Sequence, residues 1–215
     1  MKKNLLLGLI LISSASVFAE TKLKDFYIRA DSGISIPAKK AGSNNAPFLE
    51  DSKFKNSALY GVGVGYKFND FLRSDVNLQY RNMHYKHRDN REGSVKQDTK
   101  GYAIFWNGYL DAKNSTIITP FLTGGIGYSR LNPANAVQDN TFDIDSYPSR
   151  STNNFAWNLG AGSKISVTNN VDLDLTYRYV SLGKLAFGNP ANFGVAGKRF
   201  SLRNHEVTLG VAYNF

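Results

Sequence analysis

The sequence predicts an all-β fold: an eight-stranded antiparallel transmembrane up-and-down β-barrel with short periplasmic turns and four long extracellular loops. Three observations predict it. Apolar and polar residues alternate with a period of two through eight runs, as in strands with one apolar and one polar face. The connections between runs alternate between short and long. No run reaches the ~18 apolar residues that a spanning helix needs, so crossing a membrane falls to strands.

The chain opens with basic Lys2 and Lys3, an apolar stretch Leu5–Ile12, and small residues up to Ala19. That order is expected of a secretory signal peptide over 1–19, which leaves 20–215 as a single outer-membrane barrel domain. The 215-residue chain carries a formal charge of +9 and no cysteine, which excludes a disulfide scaffold and a thiolate zinc site. Loss of Lys2 and Lys3 with the signal leaves +7. An exported chain is a poor partner for nucleic acid, so none is expected.

The first run sets Phe26, Ile28, Ala30, Ile34 and Ile36 against Arg29, Asp31, Gly33 and Ser35. The second sets Tyr60, Val62, Val64, Tyr66 and Phe68 against Gly61, Gly63, Gly65 and Lys67. The third sets Leu72, Val76, Leu78 and Tyr80 against Arg73, Asp75, Asn77, Gln79 and Arg81. In the fourth, Tyr102, Ile104, Trp106 and Leu110 oppose Ala103, Phe105, Asn107, Tyr109 and Asp111. In the fifth, Ile118, Leu122, Ile126 and Tyr128 oppose Phe121, Thr123, Gly125 and Gly127. The sixth pairs Phe155, Trp157, Leu159 and Ile165 with Asn158, Gly160, Gly162 and Lys164. The seventh pairs Val171, Leu173, Leu175, Tyr177 and Tyr179 with Asp172, Asp174, Thr176 and Arg178. The eighth pairs Val207, Leu209, Val211, Tyr213 and Phe215 with Glu206, Thr208, Gly210 and Asn214.

Short connections fall at 69–71, 112–115 and 168–170, and long ones at Pro37–Ser57, Asn82–Asp98, Arg130–Thr152 and Val180–Phe200. A soluble calyx also alternates, with its apolar face inward. Three features point to the membrane form: sign-balanced charges on the polar face, aromatics near strand ends, and a final strand ending in Phe215.

With the polar face inward, the lumen holds Arg29, Lys67, Arg73, Arg81, Lys164 and Arg178 against Asp31, Asp75, Asp111, Asp172, Asp174 and Glu206. An eight-stranded barrel is narrow enough for side chains to fill. These charges are therefore expected to pair into a network that forms a structural core, with inward glycines such as Gly61, Gly63 and Gly65 making room. A small porin-like channel is the alternative.

The runs Tyr27–Gly33, Asn107–Asp111, Thr119–Gly127 and Asp172–Tyr179 resemble those of opacity-protein-like outer-membrane barrels, which are eight-stranded surface antigens and adhesins. The closing His205–Phe215, with Tyr213 and Phe215, resembles the signal read by the outer-membrane assembly machinery. The resemblance covers the strands and none of the loops. It implies location in the outer membrane of a Gram-negative cell, contact with outer-membrane lipid and lipopolysaccharide, and adhesion and immune recognition by the loops.

Catalysis has little to stand on. The histidines are His84, His87 and His205. Ser201 and His205 lie four residues apart, about 13 Å along an extended strand, too far for activation of a nucleophile. Asp139, Asp143 and Asp145 lack the glycine-spaced frame of a calcium loop. No cofactor and no metal is expected. Function beyond structure is expected in the long connections. There Lys39, Lys40, Lys53, Lys55, Lys184, Phe187, Phe193, Lys198 and Arg199 are the candidate contacts for a host-cell surface receptor or polyanion.

Overall fold

The structure, a computed structural model, describes residues 25–38, 53–54, 56–89, 93–134, 136–139, 144–147, 151–186 and 199–215. Side chains are described for 25–38, 56–83, 98–134, 151–184 and 201–215. The expected signal segment lies outside these residues. Among the described residues one antiparallel sheet contains β1 (Phe26–Pro37), β2 (Lys53–Phe54), β3 (Ser57–Lys67), β4 (Leu72–Asp89), β5 (Gly93–Asp111), β6 (Ile118–Pro133), β7 (Ala136–Asp139), β8 (Ile144–Tyr147), β9 (Thr152–Ser166), β10 (Val171–Ala186) and β11 (Arg199–Asn214).

The wall is made by β1, β3, β4, β5, β6, β9, β10 and β11, each paired with its neighbours in the chain. It closes where β1 meets β11, from Tyr27 opposite Asn214 to Pro37 opposite Asn204. Closure leaves the wall without an edge, as a bilayer demands of a sheet. The three short strands lie beyond the wall. β2 pairs with the far part of β4, and the β7–β8 hairpin pairs with the far part of β5.

The alternation resolves into an apolar outside and a polar inside. Ile28, Val62, Leu78, Leu122, Leu159 and Leu209 stand exposed on the outer surface, while Arg29, Asp75, Asn107, Thr176 and Glu206 are buried within. A soluble calyx has the reverse arrangement. An outer wall of this composition is covered by lipid.

Local chemistry sets the tight turns. Asn69 Oδ1 accepts from the backbone N–H of Phe71 (2.9 Å) and Leu72 (2.8 Å), and Thr168 Oγ1 accepts from those of Asn170 and Val171. Lys113 donates to Asp70, which ties the first turn to the second and holds the Asp70 carboxyl below its usual pKa. The start of β1 and the end of β11 lie at this same end of the barrel, where Phe215 N–H donates to Phe26 C=O.

The strands run further than the sequence bounds. β4 continues to Asp89 and β5 begins at Gly93, so most of the connection expected at Asn82–Asp98 is a ladder, and His84 and His87 lie on a strand. β6 reaches Pro133, β10 reaches Ala186 and β11 begins at Arg199, so Lys184 is a strand residue. The physical reason is a reversal of the pattern. Up to Tyr80, Tyr102, Tyr128 and Tyr179 the outward residues are apolar or aromatic apart from Ser74, which accepts from the Trp106 indole N–H. One step further they are Asn82, Lys100, Arg130 and Ser181, while inward positions become Met83, Leu131, Val180 and Leu182. The outward tyrosines mark the level at which the wall leaves hydrocarbon and meets water.

Leu209 lies midway along the outward face of β11, between Tyr213 and His205. Leu209→Arg is expected to destabilise the barrel by about 2–4 kcal/mol, the cost of a cation near the bilayer midplane, as measured by urea unfolding in lipid vesicles.

Candidate functional site: the charged lumen and its rim

Period two alone brings the inward residues of β1, β4, β5, β10 and β11 to a common interior. Among the described residues three groups of ion pairs form there. The largest starts at Arg29, whose guanidinium meets Asp31 (2.6 Å), Asp75 (3.1 Å) and Asp174 (3.6 Å). Asp174 also takes Arg73 at 3.1 Å, Arg73 takes Asp111 at 3.1 Å, and Asp111 takes Lys164 at 2.8 Å. Lys67 pairs with Asp172 at 3.5 Å near the turn end. Higher up, Glu206 is shared by Arg81 (2.7 Å) and Arg178 (3.1 Å).

The sequence-predicted lumen residues, six cations and six carboxylates, all lie in these groups. The largest group has four carboxylates to three cations, and the Glu206 group has two cations to one carboxylate. Their residual charges oppose each other. Burial is nearly complete at the centre: the side chains of Arg81 and Glu206 are 0% exposed. At that depth a charge without a partner costs several kcal/mol, so neutrality is a condition of folding.

Neutral side chains extend the network. Tyr109 donates to Asp75 (2.9 Å) and accepts from Arg29 (2.9 Å). Its ring also lies under the Arg73 guanidinium, 4.3 Å from the centroid, with Phe121 at 4.8 Å. Asn77 donates to Asp31, Asn107 to Asp75, and Asn158 to Asn107. Ser35 donates to Glu206, and Asn204 to Ser35. Inward parity was the only signal for these residues in the sequence.

Inward glycines admit the bulk of neighbouring strands. A Cβ at Gly65 would collide with the Tyr27 ring, one at Gly160 with Arg178 and the Tyr177 carbonyl, and one at Gly162 with Phe121 and the Leu175 carbonyl. The large lumen side chains therefore lie across strands that have given up their own.

Above the Arg81–Glu206–Arg178 group the interior turns apolar. Met83, Phe105, Leu131, Val180, Leu182 and Leu202 pack with Ala103 and Ala156 into one buried cluster. A bulge on β10 between Ser181 and Lys184 lies at this level. Gly183 takes φ +84° there, a conformation that disfavours other residues, and Asn154 accepts from Lys184 N–H. The lumen is thus ion-paired below and filled with hydrocarbon at the loop end.

On the outer wall His205 Nδ1 lies 2.7 Å from the Tyr177 hydroxyl, stacked on that ring, with Tyr179 edge-on and Trp157 beyond. Lys184 is exposed at the rim. The other candidate contacts fall elsewhere. Lys39, Lys40, Lys55, Phe187, Phe193 and Lys198 lie outside the described residues, and Lys53 and Arg199 lie on strands at positions without described side chains. Tyr213 and Phe215 stack edge-to-face at the turn end, 5.4 Å apart.

A family model described as "Outer membrane protein beta-barrel domain" matches residues 5–215. The chain is 29% identical over 171 residues to the outer membrane protein PagN of Salmonella typhimurium, covering 72% of each chain. It is 26% identical over 236 residues to a Rickettsia bellii protein named "Putative adhesin", covering 100% of each. Among solved structures it is similar to Neisserial surface protein A, with 23% identity and a TM-score of 0.56 over 88% of this chain and 97% of that one. That last likeness concerns the fold.

Glu206→Gln leaves Arg81 and Arg178 facing each other without a counter-charge. It is expected to lower stability by about 3–5 kcal/mol, as measured by urea unfolding of the barrel in vesicles.

Proposed function

The chain belongs to the outer-membrane protein β-barrel family, and from that premise we propose that it is a non-enzymatic surface protein that displays its loop end for adhesion to host cells. It resides in the outer membrane of a Gram-negative cell. The observation that carries the reading is the filled interior. Ion pairs and the Phe105–Leu131–Leu182 layer occupy the lumen, and lipid takes the wall, so the loop end is the face left for an external partner. Full-length similarity to the Rickettsia bellii protein named "Putative adhesin" supports the same choice.

The basic stretches Pro37–Ser57 and Val180–Phe200, which include strand ends, suit an acidic receptor or a polyanion through long-range attraction. The wall offers little for catalysis. The imidazole of His205 is engaged by Tyr177, and Ser201 lies two outward positions further along β11.

Replacing 39–52 and 187–198 by short turns is expected to abolish binding to host cells while the folded barrel keeps its heat-modifiable mobility on gels. Unchanged binding would remove the adhesive role. Planar bilayers holding the purified barrel are expected to stay electrically silent. A stable unitary conductance altered by substitution of Arg73 or Arg178 would favour the channel instead.

A further inference from the structure

Inside the barrel, the Glu206 group keeps one positive charge in excess and several donors that no side chain takes up. Arg81 and Arg178 share the single carboxylate of Glu206. Among the described residues three N–H groups around it have no hydrogen-bond partner: Arg81 Nη1, Gln79 Nε2 and Arg178 Nε. Water barely reaches them, since Arg81 is 0%, Gln79 1% and Arg178 6% exposed. A buried donor without an acceptor is costly, and more so on a cation. Three such donors around one carboxylate call for a further acceptor.

The bonds already made fix where these donors stand. Arg81 presents Nε and Nη2 to Glu206, at 2.7 Å and 3.1 Å, so its Nη1 is turned away from that carboxylate. Arg81 Nη2 also donates to Gln79 Oε1 at 2.6 Å, which sets the amide with its oxygen on Arg81 and its N–H groups beyond. Arg178 reaches Glu206 through Nη2, at 3.1 Å, and keeps Nε. Glycines lie opposite all three side chains: Gly61 opposite Gln79, Gly101 opposite Arg81 and Gly160 opposite Arg178. Those strands therefore bring no competing side chain. The other acceptors of the lumen are engaged, distant or neutral. Asp31, across Gly61 from Gln79, gives both oxygens to Arg29 and Asn77. Asp174 Oδ1 has no partner, but Asp174 lies four residues from Arg178 along β10, about 13 Å. Asn204 Oδ1 is a neutral carbonyl, joined to Glu206 through Ser35, and cannot offset a charge.

We propose that Arg81, Gln79 and Arg178 form a binding site for one small monovalent anion, chloride, within the lumen. The ion accepts charge-assisted hydrogen bonds from Arg81 Nη1 and Arg178 Nε and a neutral one from Gln79 Nε2. Its single charge brings two cations and one carboxylate into balance, whereas a divalent oxyanion would reverse the excess. Above the site Met83, Leu131, Val180 and Leu202 belong to the apolar cluster that fills the loop end. The ion is therefore held as part of the core and not passed along the lumen. The site uses none of the loop residues, so it stands or falls separately from the adhesive reading.

Gln79→Glu separates this site from a merely polar lumen. The variant keeps one oxygen on Arg81 Nη2 and puts the other where Nε2 stood, so the chain supplies its own anion. Urea unfolding of the purified full barrel in vesicles is compared in sodium chloride and in sodium gluconate at equal ionic strength. Wild type is expected to gain stability from chloride, its folding constant rising about tenfold for each tenfold increase beyond half-saturation. Gln79→Glu is expected to lose that dependence and to unfold in gluconate no earlier than wild type, with heat-modifiable mobility as the check that it is folded. Wild-type crystals grown in sodium bromide are expected to show an anomalous peak within hydrogen-bond reach of Arg81 Nη1, Gln79 Nε2 and Arg178 Nε, and Gln79→Glu crystals none. Equal wild-type midpoints in the two salts, or no bromide peak at that place, overturn the site in favour of water shared with Asn204 and Asp174. Full chloride dependence in folded Gln79→Glu puts the ion elsewhere and overturns the assignment to these residues.

Discussion

The structure depends on neutralising charge in a space that water barely reaches. Over the height of the bilayer every strand must turn its apolar residues outward, and with period two the remaining residues have nowhere to go but in. A lumen built this way cannot be an apolar core. It holds together because each buried cation has a carboxylate within reach, as Arg29 does with Asp31 and Asp75, and as Arg81 and Arg178 do with Glu206. The outer wall follows from the bilayer, the inner composition follows from the outer wall, and the ion pairs follow from the inner composition.

This logic also explains how much could be read before any coordinates. Parity along eight runs is enough to name the inward charges and to close the barrel, because the pattern persists from Phe26 to Phe215. Parity says nothing about partners. Arg73 of β4 meets Asp174 of β10, 101 residues away, and that meeting depends on how the wall curves and how its strands are staggered. Tyr109, Asn77 and Asn158 carried no mark beyond facing inward, yet Tyr109 and Asn77 donate to Asp75 and Asp31, and Asn158 donates to the Asn107 that holds Asp75. The strand ends were misjudged for a different reason. Beyond the tyrosine ring the outside is water, so the pattern reverses, and Leu131 or Leu182 no longer looks like a lumen residue.

The reversal divides the molecule into two materials joined in one sheet. Below the ring, stability rests on paired charge inside and lipid outside. Above it, Met83, Leu131, Val180, Leu182 and Leu202 form a small conventional core with polar surroundings. The basic excess counted from the sequence also moves. Arg130, Lys184 and Arg203 lie on outward faces of wall strands just past the bilayer, and the share left to the loops themselves is smaller.

The glycines that make room in the lumen have a consequence for how such a chain can change over generations. Gly65 cannot gain a side chain unless Tyr27 loses one, whereas Gly160 is closed by the Tyr177 carbonyl as well as by Arg178. Such interior positions therefore change together with the side chain that fills them, as at Gly65, or do not change at all, as at Gly160. Sequence drift is channelled toward the surface that an outside observer meets, while the interior stays nearly as it was.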